Sequence, residues 1–147
     1  MSEQLKENLE VRGDLTIVLT DKYGHERVYR HTNLVVTSGK TFIAARMVGT
    51  PTAMSHMAIG AGTTAPAGGN TTLESELGRV TLTSGTSTGA VVTYIAAFPA
   101  GTGTGSVTEA GILNAGSGGT LLCRSVFPVV NKGADDGMSI TWQITVS

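Results

Sequence analysis

Residues 54–98, MSHMAIGAGTTAPAGGNTTLESELGRVTLTSGTSTGAVVTYIAAF, decide how the chain is built. Met57 and Ile59 flank Ala58 with the two-residue period of a half-buried strand. Gly60, Gly62, Pro66, Gly68 and Gly69 then break the pattern and require a loop. Thr71 and Glu74 have capping-box spacing, which predicts a short helix through Leu77, closed by Gly78 in the left-handed conformation. Val80 and Leu82 resume alternation. Ala90 to Phe98 is an apolar strand that ends at Pro99. Strand, loop and strand in this order describe a scaffold, with no reaction centre among them.

Working outward, the N-terminal side supplies three more strands. Leu15, Ile17 and Leu19 alternate with Thr16, Val18 and Thr20. Asp21 to Gly24 is a turn, and His25 to His31 returns as a polar edge strand. Asn33 to Val36 is short and apolar. A helix follows, capped by Thr37 or Ser38, with Ile43 and Met47, and Ala44 and Val48, at helical spacing; Gly49 and Pro51 stop it. On the C-terminal side, Ser106 to Leu113 and Leu121 to Phe127 read as strands. The cleanest alternation is the last: Ile140, Trp142, Ile144 and Val146 face one way, and Ser139, Thr141, Gln143 and Thr145 the other. Eight or nine short strands, two short helices and glycine-rich turns predict an all-β fold, a jelly-roll-like β-sandwich with a helix on one edge. The expected organisation is a flexible arm over residues 1–10 and one domain over residues 11–147.

Charge is scarce and uneven. Only 14% of the 147 residues are charged, against roughly 25% in ordinary soluble domains. Eleven of the 21 lie in the first 32 residues. A folded body this poor in charge predicts either a surface covered by other subunits or a Thr/Ser-covered β surface in water. The net charge of -1 gives no basic footprint for nucleic acid or an anionic membrane. No apolar run reaches the roughly 18 residues of a membrane span, and the polar N-terminus is not a secretory leader. The lone cysteine, Cys123, forms no internal disulfide and reads as a buried thiol.

Candidate chemical motifs each give way to a structural reading. SGKT at 38–41 has the context of a phosphate loop but lacks its first glycine, since that position is Leu34. GTSTG at 85–89 matches GxSxG, yet it falls in a hairpin loop rather than at a strand-to-helix elbow, so Ser87 is not expected to be a nucleophile. His25, His31 and His56 are too scattered for a metal set. Asp135 and Asp136 lack the alternating acids of a calcium loop. Glu74 and Glu76 point apart, so they form no acid–base pair. Glu109 is the one acid inside an apolar strand; it pairs with Arg79 or Arg124, or faces a subunit boundary. Trp142 fills the core. No catalytic residue, cofactor or metal is therefore expected, and the chain reads as a structural or binding module rather than an enzyme.

A resemblance adds to this. NLVVTSGKTFIAARM (33–47), MSHMAIGAGTTAPA (54–67), TTLESELGRVTLTS (71–84), VVTYIAAFPAGTGTGSVTEAGILNA (91–115), GGTLLCRSVFP (118–128) and NKGADDGMSITWQITVS (131–147) resemble a family of small tailed-bacteriophage virion proteins. Members are capsid cement (decoration) proteins or tail-fibre and baseplate components. The resemblance implies a cement protein made in the host cytoplasm and carried on the capsid surface. Its implied partners are the major capsid protein and further copies of itself, as dimers or trimers. A tail-fibre or baseplate adhesion component is the alternative. Exposure singles out Leu5, Leu9, Arg12, Arg27 and Arg30 as contact residues.

Overall fold

The computed structural model describes residues 8–147. Ten strands and one helix follow in the order β1 (Val11–Thr20), β2 (Glu26–Thr32), β3 (Leu34–Val35), α1 (Thr37–Arg46), β4 (His56–Gly60), β5 (Glu76–Thr81), β6 (Ser84–Thr88), β7 (Val91–Phe98), β8 (Gly105–Leu113), β9 (Leu121–Lys132) and β10 (Gly137–Val146). They form two five-stranded antiparallel sheets, ordered β2-β1-β10-β7-β6 and β3-β9-β8-β4-β5. The first is called sheet A below and the second sheet B. The all-β sandwich expected from the alternation is what the chain forms.

The core follows from register. Leu15 and Ile17 of β1 lie opposite Trp142 and Ile140 of β10, and Trp142 lies opposite Tyr94 of β7. These inward rows meet Met57, Ile59, Ala110, Ile112 and Cys123 of sheet B in one buried cluster. Burying leucine, isoleucine or phenylalanine side chains contributes about 1.5–3 kcal/mol each, so this interleaved layer supplies most of the driving force. Burial also pushes the Cys123 thiol well above its ordinary pKa, in keeping with the inert reading.

The sheets are tied at both edges by chain that turns a corner. Asn33 carries β2 of sheet A into β3 of sheet B, and its amide donates to Gly13 O (3.2 Å). Leu82 and Thr83 carry β5 of sheet B into β6 of sheet A. There Leu82 N donates to Ser55 O (2.8 Å) and Thr83 N to Ile95 O (2.7 Å). At the first corner the Trp142 indole N–H donates to Asn33 Oδ1 at 2.6 Å. The tryptophan thus fills the core and also fixes the corner.

Two elements differ from the sequence reading. Ser84 to Thr88 is a strand, paired residue for residue with β7, so the tight turn is only Gly89–Ala90 and Gly89 takes φ +57°. Short Ser/Thr/Gly runs carry little apolar alternation, and here a neighbouring strand supplies the hydrogen bonds that define the element. Residues 71–75 form no helix. Glu74 and Ser75 give their amides to Glu109 (2.9 and 2.7 Å), Leu73 is buried, and β5 begins at Glu76. The capping-box acid serves another turn: Glu74 Oε1 accepts from Thr63 N (3.0 Å) and Thr64 N (3.3 Å). A tertiary carboxylate outcompetes a helix too short to sustain itself.

The loop between β4 and β5 consequently lies flat across the outer face of sheet B. Glu109 is fully buried at its centre. It accepts from Gly62 N (2.6 Å), Glu74 N and Ser75 N, and from Arg124 Nε (3.0 Å). Arg124, not Arg79, is therefore its partner. Arg79 binds Glu76 at 2.7 Å and caps Ala115 O and Gly118 O. Arg124 Nη1 reaches Thr64 O (3.0 Å) and Asn70 Oδ1 (3.2 Å). Leu73 completes the seal by packing with Val36, Ala58, Leu113 and Leu121 in a second buried cluster. The glycines of the opening stretch make room for this. A Cβ on Gly62 would lie 2.3 Å from Glu109 Oε2.

Helix α1 closes one end of the sandwich. Val36 is its N-cap residue and no side chain caps it; Ser38 Oγ instead donates to Leu121 O (2.9 Å), which corrects the expected Thr37 or Ser38 cap. The helix ends at Arg46, with Gly49 at φ +86° just beyond. Gly39 sits against β9, where an added Cβ would lie 1.9 Å from Leu122 O. Alanine for glycine inside a helix ordinarily gains up to ~1 kcal/mol. Gly39→Ala is expected to do the opposite and lose about 1–3 kcal/mol, because neither backbone can give way. Urea unfolding checks the sign.

Candidate interaction surface

The two sheets differ in what covers their outer faces. Sheet B is sealed by the loop just described. Among the described residues nothing covers sheet A, and the outward residues of its strands β10, β7 and β6 are neutral. Ser139, Thr141, Gln143 and Thr145 of β10 point away from the core, beside Ala97, Ile95, Thr93 and Val91 of β7 in register. Ser84, Thr86 and Thr88 of β6 continue the rows. No residue of β6, β7 or β10 is charged. Charge returns only on the far side of the sheet, with Arg12 and Asp14 of β1 and Glu26 and Arg30 of β2. Of these, Arg12 binds its own neighbour Asp14 (3.2 Å). Arg12 and Thr145 are register partners, as are Thr16 and Arg30, so the ionised strip borders the neutral field directly.

A second exposed feature lies at the end of the sandwich that α1 closes. There β1, β3 and α1 enclose an open groove of about 590 Å³, walled by Leu9, Val11, Leu34, Ile43, Ala44 and Met47, with Arg12 and Lys40 also on its lining. Leu9 and Met47 are 74% and 86% exposed. Lys40, Ala44 and the capping Met47, spaced by four and three along α1, line the groove together with Leu9, Val11 and Leu34.

The five contact residues expected from sequence separate accordingly. Leu5 lies outside the described residues. Leu9 and Arg12 come together on the groove. Arg27 and Arg30 are three apart on a strand and so face opposite sides. Arg30 sits on the outer face of sheet A, whereas Arg27 opposes Leu19 and borders a polar cleft with Asp21, Glu26, Asn131 and Asp136. They therefore do not act as one patch. Sequence reasoning missed Leu34, Ala44 and the neutral field itself. The absence of Asp, Glu, Lys and Arg from 80–108 and from 137–147 is visible in the sequence, but only strand order shows that those segments are adjacent.

The other singled-out residues are dispersed. Ser87 is exposed on the edge strand β6, opposite Val92. His25 contacts Asp21 (3.2 Å), His31 stacks on Phe127 (5.3 Å between ring centroids), and His56 meets Ser55 Oγ (2.7 Å). Among the described residues no three His, Cys, Asp or Glu side chains cluster as metal ligands. Asp136 instead closes the turn before β10, accepting from Gly133 N (2.7 Å). Below the sheet B loop, Arg124 and Glu74 line a polar cleft of about 290 Å³ with Thr64 and Thr71. The Thr64 hydroxyl and the Thr63 and Thr64 amides hold the Glu74 carboxyl below its ordinary pKa. A depressed carboxyl contributes above its unfolded pKa and loses that contribution as pH falls through the folded value. The Thr63 and Thr64 amides are therefore expected to lose hydrogen-exchange protection only as pH falls below the ordinary carboxylate range, once the intrinsic pH dependence of exchange is removed. Unchanged protection there would contradict the assignment.

Comparison with protein-family models, with curated proteins and with solved structures returns no match for this chain.

Proposed function

We propose that the chain is a structural binding module, a capsid cement protein of a tailed bacteriophage that braces neighbouring subunits of a shell. The observation that carries the reading is the neutral outer field of sheet A, three adjacent strands without an ionised group and with no described residue over them. Such a surface loses little solvation when covered, because there are no charges to strip of water. The resemblance of residues 33–147 to small virion proteins supplies the identity of the partners, the major capsid protein and further copies of this chain.

Size constrains the mechanism. Five strands spaced about 4.8 Å apart, over about seven residues each, give a face of roughly 550 Å². One side of a standard interface buries about 800 Å². A single face therefore binds weakly, and tight attachment requires several such contacts at once on a repeating lattice. A brace on a shell meets that requirement.

Binding of the purified protein to assembled shells tests the proposal, with a density map of the decorated particle to locate it. Ile95→Arg, opposite Thr141 on the outer face, is expected to abolish binding and to change stability by less than about 0.5 kcal/mol. Absence of binding by the parent chain, or undiminished binding by Ile95→Arg, would reject it. Only a few copies per virion in quantitative gels would move the protein to the tail.

A further inference from the structure

We propose that β6 is a docking edge for a second copy of this chain, paired β6 to β6 in antiparallel fashion across a twofold axis at Thr86. The proposal concerns the edge of sheet A rather than its face, and it holds with or without a shell. An unpaired strand edge is a template for another strand, and proteins blunt such edges with charge or by keeping them short. The described edge strands are β2, β6, β3 and β5. Strand β2 carries Glu26, Arg27 and Arg30, β5 carries Glu76 and Arg79, and β3 has only two residues. Strand β6 has neither protection: its five residues, Ser84–Thr88, include no charge and no proline, and Gly85 to Thr88 are exposed.

The hydrogen-bonding pattern of this edge is self-complementary. The hairpin from β6 to β7 turns on Gly89 and Ala90, with Thr88 opposite Val91. A two-residue turn closes on a hydrogen-bonded pair, and such pairs alternate along an antiparallel ladder. Thr88, Thr86 and Ser84 therefore bond to β7, while Gly85 and Ser87 turn their N–H and C=O groups outward. With the axis at Thr86, Gly85 of each copy lies opposite Ser87 of the other. Each such pair exchanges both of its hydrogen bonds, so every outward group of Gly85 and Ser87 is satisfied. Thr86 meets its own counterpart in a non-hydrogen-bonded pair, where side chains come closest, and a threonine pair is favourable there. The neutral strands β10, β7 and β6 then continue without interruption into those of the second copy.

Sedimentation equilibrium of the full chain tests it. Small interfaces are transient, so the measurement extends to about 1 mM. A concentration-dependent dimer is the expected result, with slower amide exchange at Gly85 and Ser87 as concentration rises. Ser87→Pro removes an outward N–H that β7 does not use, on an edge strand, where proline is tolerated. It should abolish the dimer and leave the urea unfolding midpoint unchanged. Thr86→Lys sets like charges opposite each other and should also give monomers, whereas mixing it with Thr86→Glu copies should restore dimers. A parent that stays monomeric at about 1 mM would overturn the proposal. So would a trimer, a dimer indifferent to Ser87→Pro, or a mixture of the two Thr86 variants that remains monomeric.

Discussion

Replacing Glu109 by alanine is expected to cost about 3–5 kcal/mol, the usual penalty for removing one partner of a buried ion pair. The magnitude follows from what the carboxylate holds. It accepts three backbone N–H groups, from Gly62, Glu74 and Ser75, and one guanidinium N–H from Arg124. Without it those donors are stranded under a loop, and Arg124, 1% exposed, remains a charge with no counter-ion. Its Nη1 keeps neutral acceptors in Thr64 O and Asn70 Oδ1, while its Nη2 has no hydrogen-bond partner. In a protein of this length the melting temperature should drop by roughly 10 °C or more. Arg124→Met should also destabilise. The Glu109→Ala, Arg124→Met double variant should be less destabilised than the two single losses together, with a coupling of about 1–3 kcal/mol. Amide exchange at Gly62 and Ser75 should accelerate well before global unfolding in Glu109→Ala. A loss below about 1 kcal/mol, or strictly additive variants, would mean that the loop is held by Leu73 and its neighbours alone.

Gly13→Ala should be the second most damaging small change, at about 2–5 kcal/mol. A Cβ at this position would lie 1.5 Å from Asn33 Oδ1 and 2.5 Å from its Cγ. The amide must leave, and with it goes the acceptor for the Trp142 indole at 2.6 Å. Overpacking costs about 1–3 kcal/mol, and a buried donor left without a partner about 1–3 more. Because Trp142 is the only tryptophan, its emission and near-ultraviolet dichroism report the event directly. Combining Gly13→Ala with Asn33→Ala removes the collision. The pair should therefore be more stable than the sum of the separate effects predicts, and a pair that is simply additive would refute the steric account.

Much of the architecture was legible because alternation is a local signal. Ile140, Trp142 and Ile144 declare their facing without reference to anything else, and the neighbouring strand needs only to match them. Leu73 and Glu74 could not be placed in that way. Their environment is set by Glu109 and Arg124, 35 and 50 positions beyond Glu74, and a capping-box pattern is satisfied equally well by a helix or by an unrelated carboxylate. Ser84 to Thr88 was misjudged for the opposite reason: the segment has hardly any side-chain preference, and its state is conferred by β7. The contact surface was partly visible as missing charge, but the grouping of Arg27 with Arg30 ignored the two-residue period of a strand. Glycine carried information that was readable only in part. Gly89 and Gly49 mark turns, as their neighbours imply, while Gly13, Gly39 and Gly62 exist because something else occupies the space of a side chain.

The exchange of hydrogen bonds between Glu10 and Ser147 governs how the molecule responds to tension. Strands β1 and β10 are antiparallel, and their outer ends emerge side by side. Pulling those ends apart would load the ladder one rung at a time, beginning with Glu10–Ser147, in the peeling geometry that yields at low force. A load spread over the flat of sheet A instead acts on every rung together and on the core beneath. A body wired like this resists deformation through its broad side and gives way through its ends.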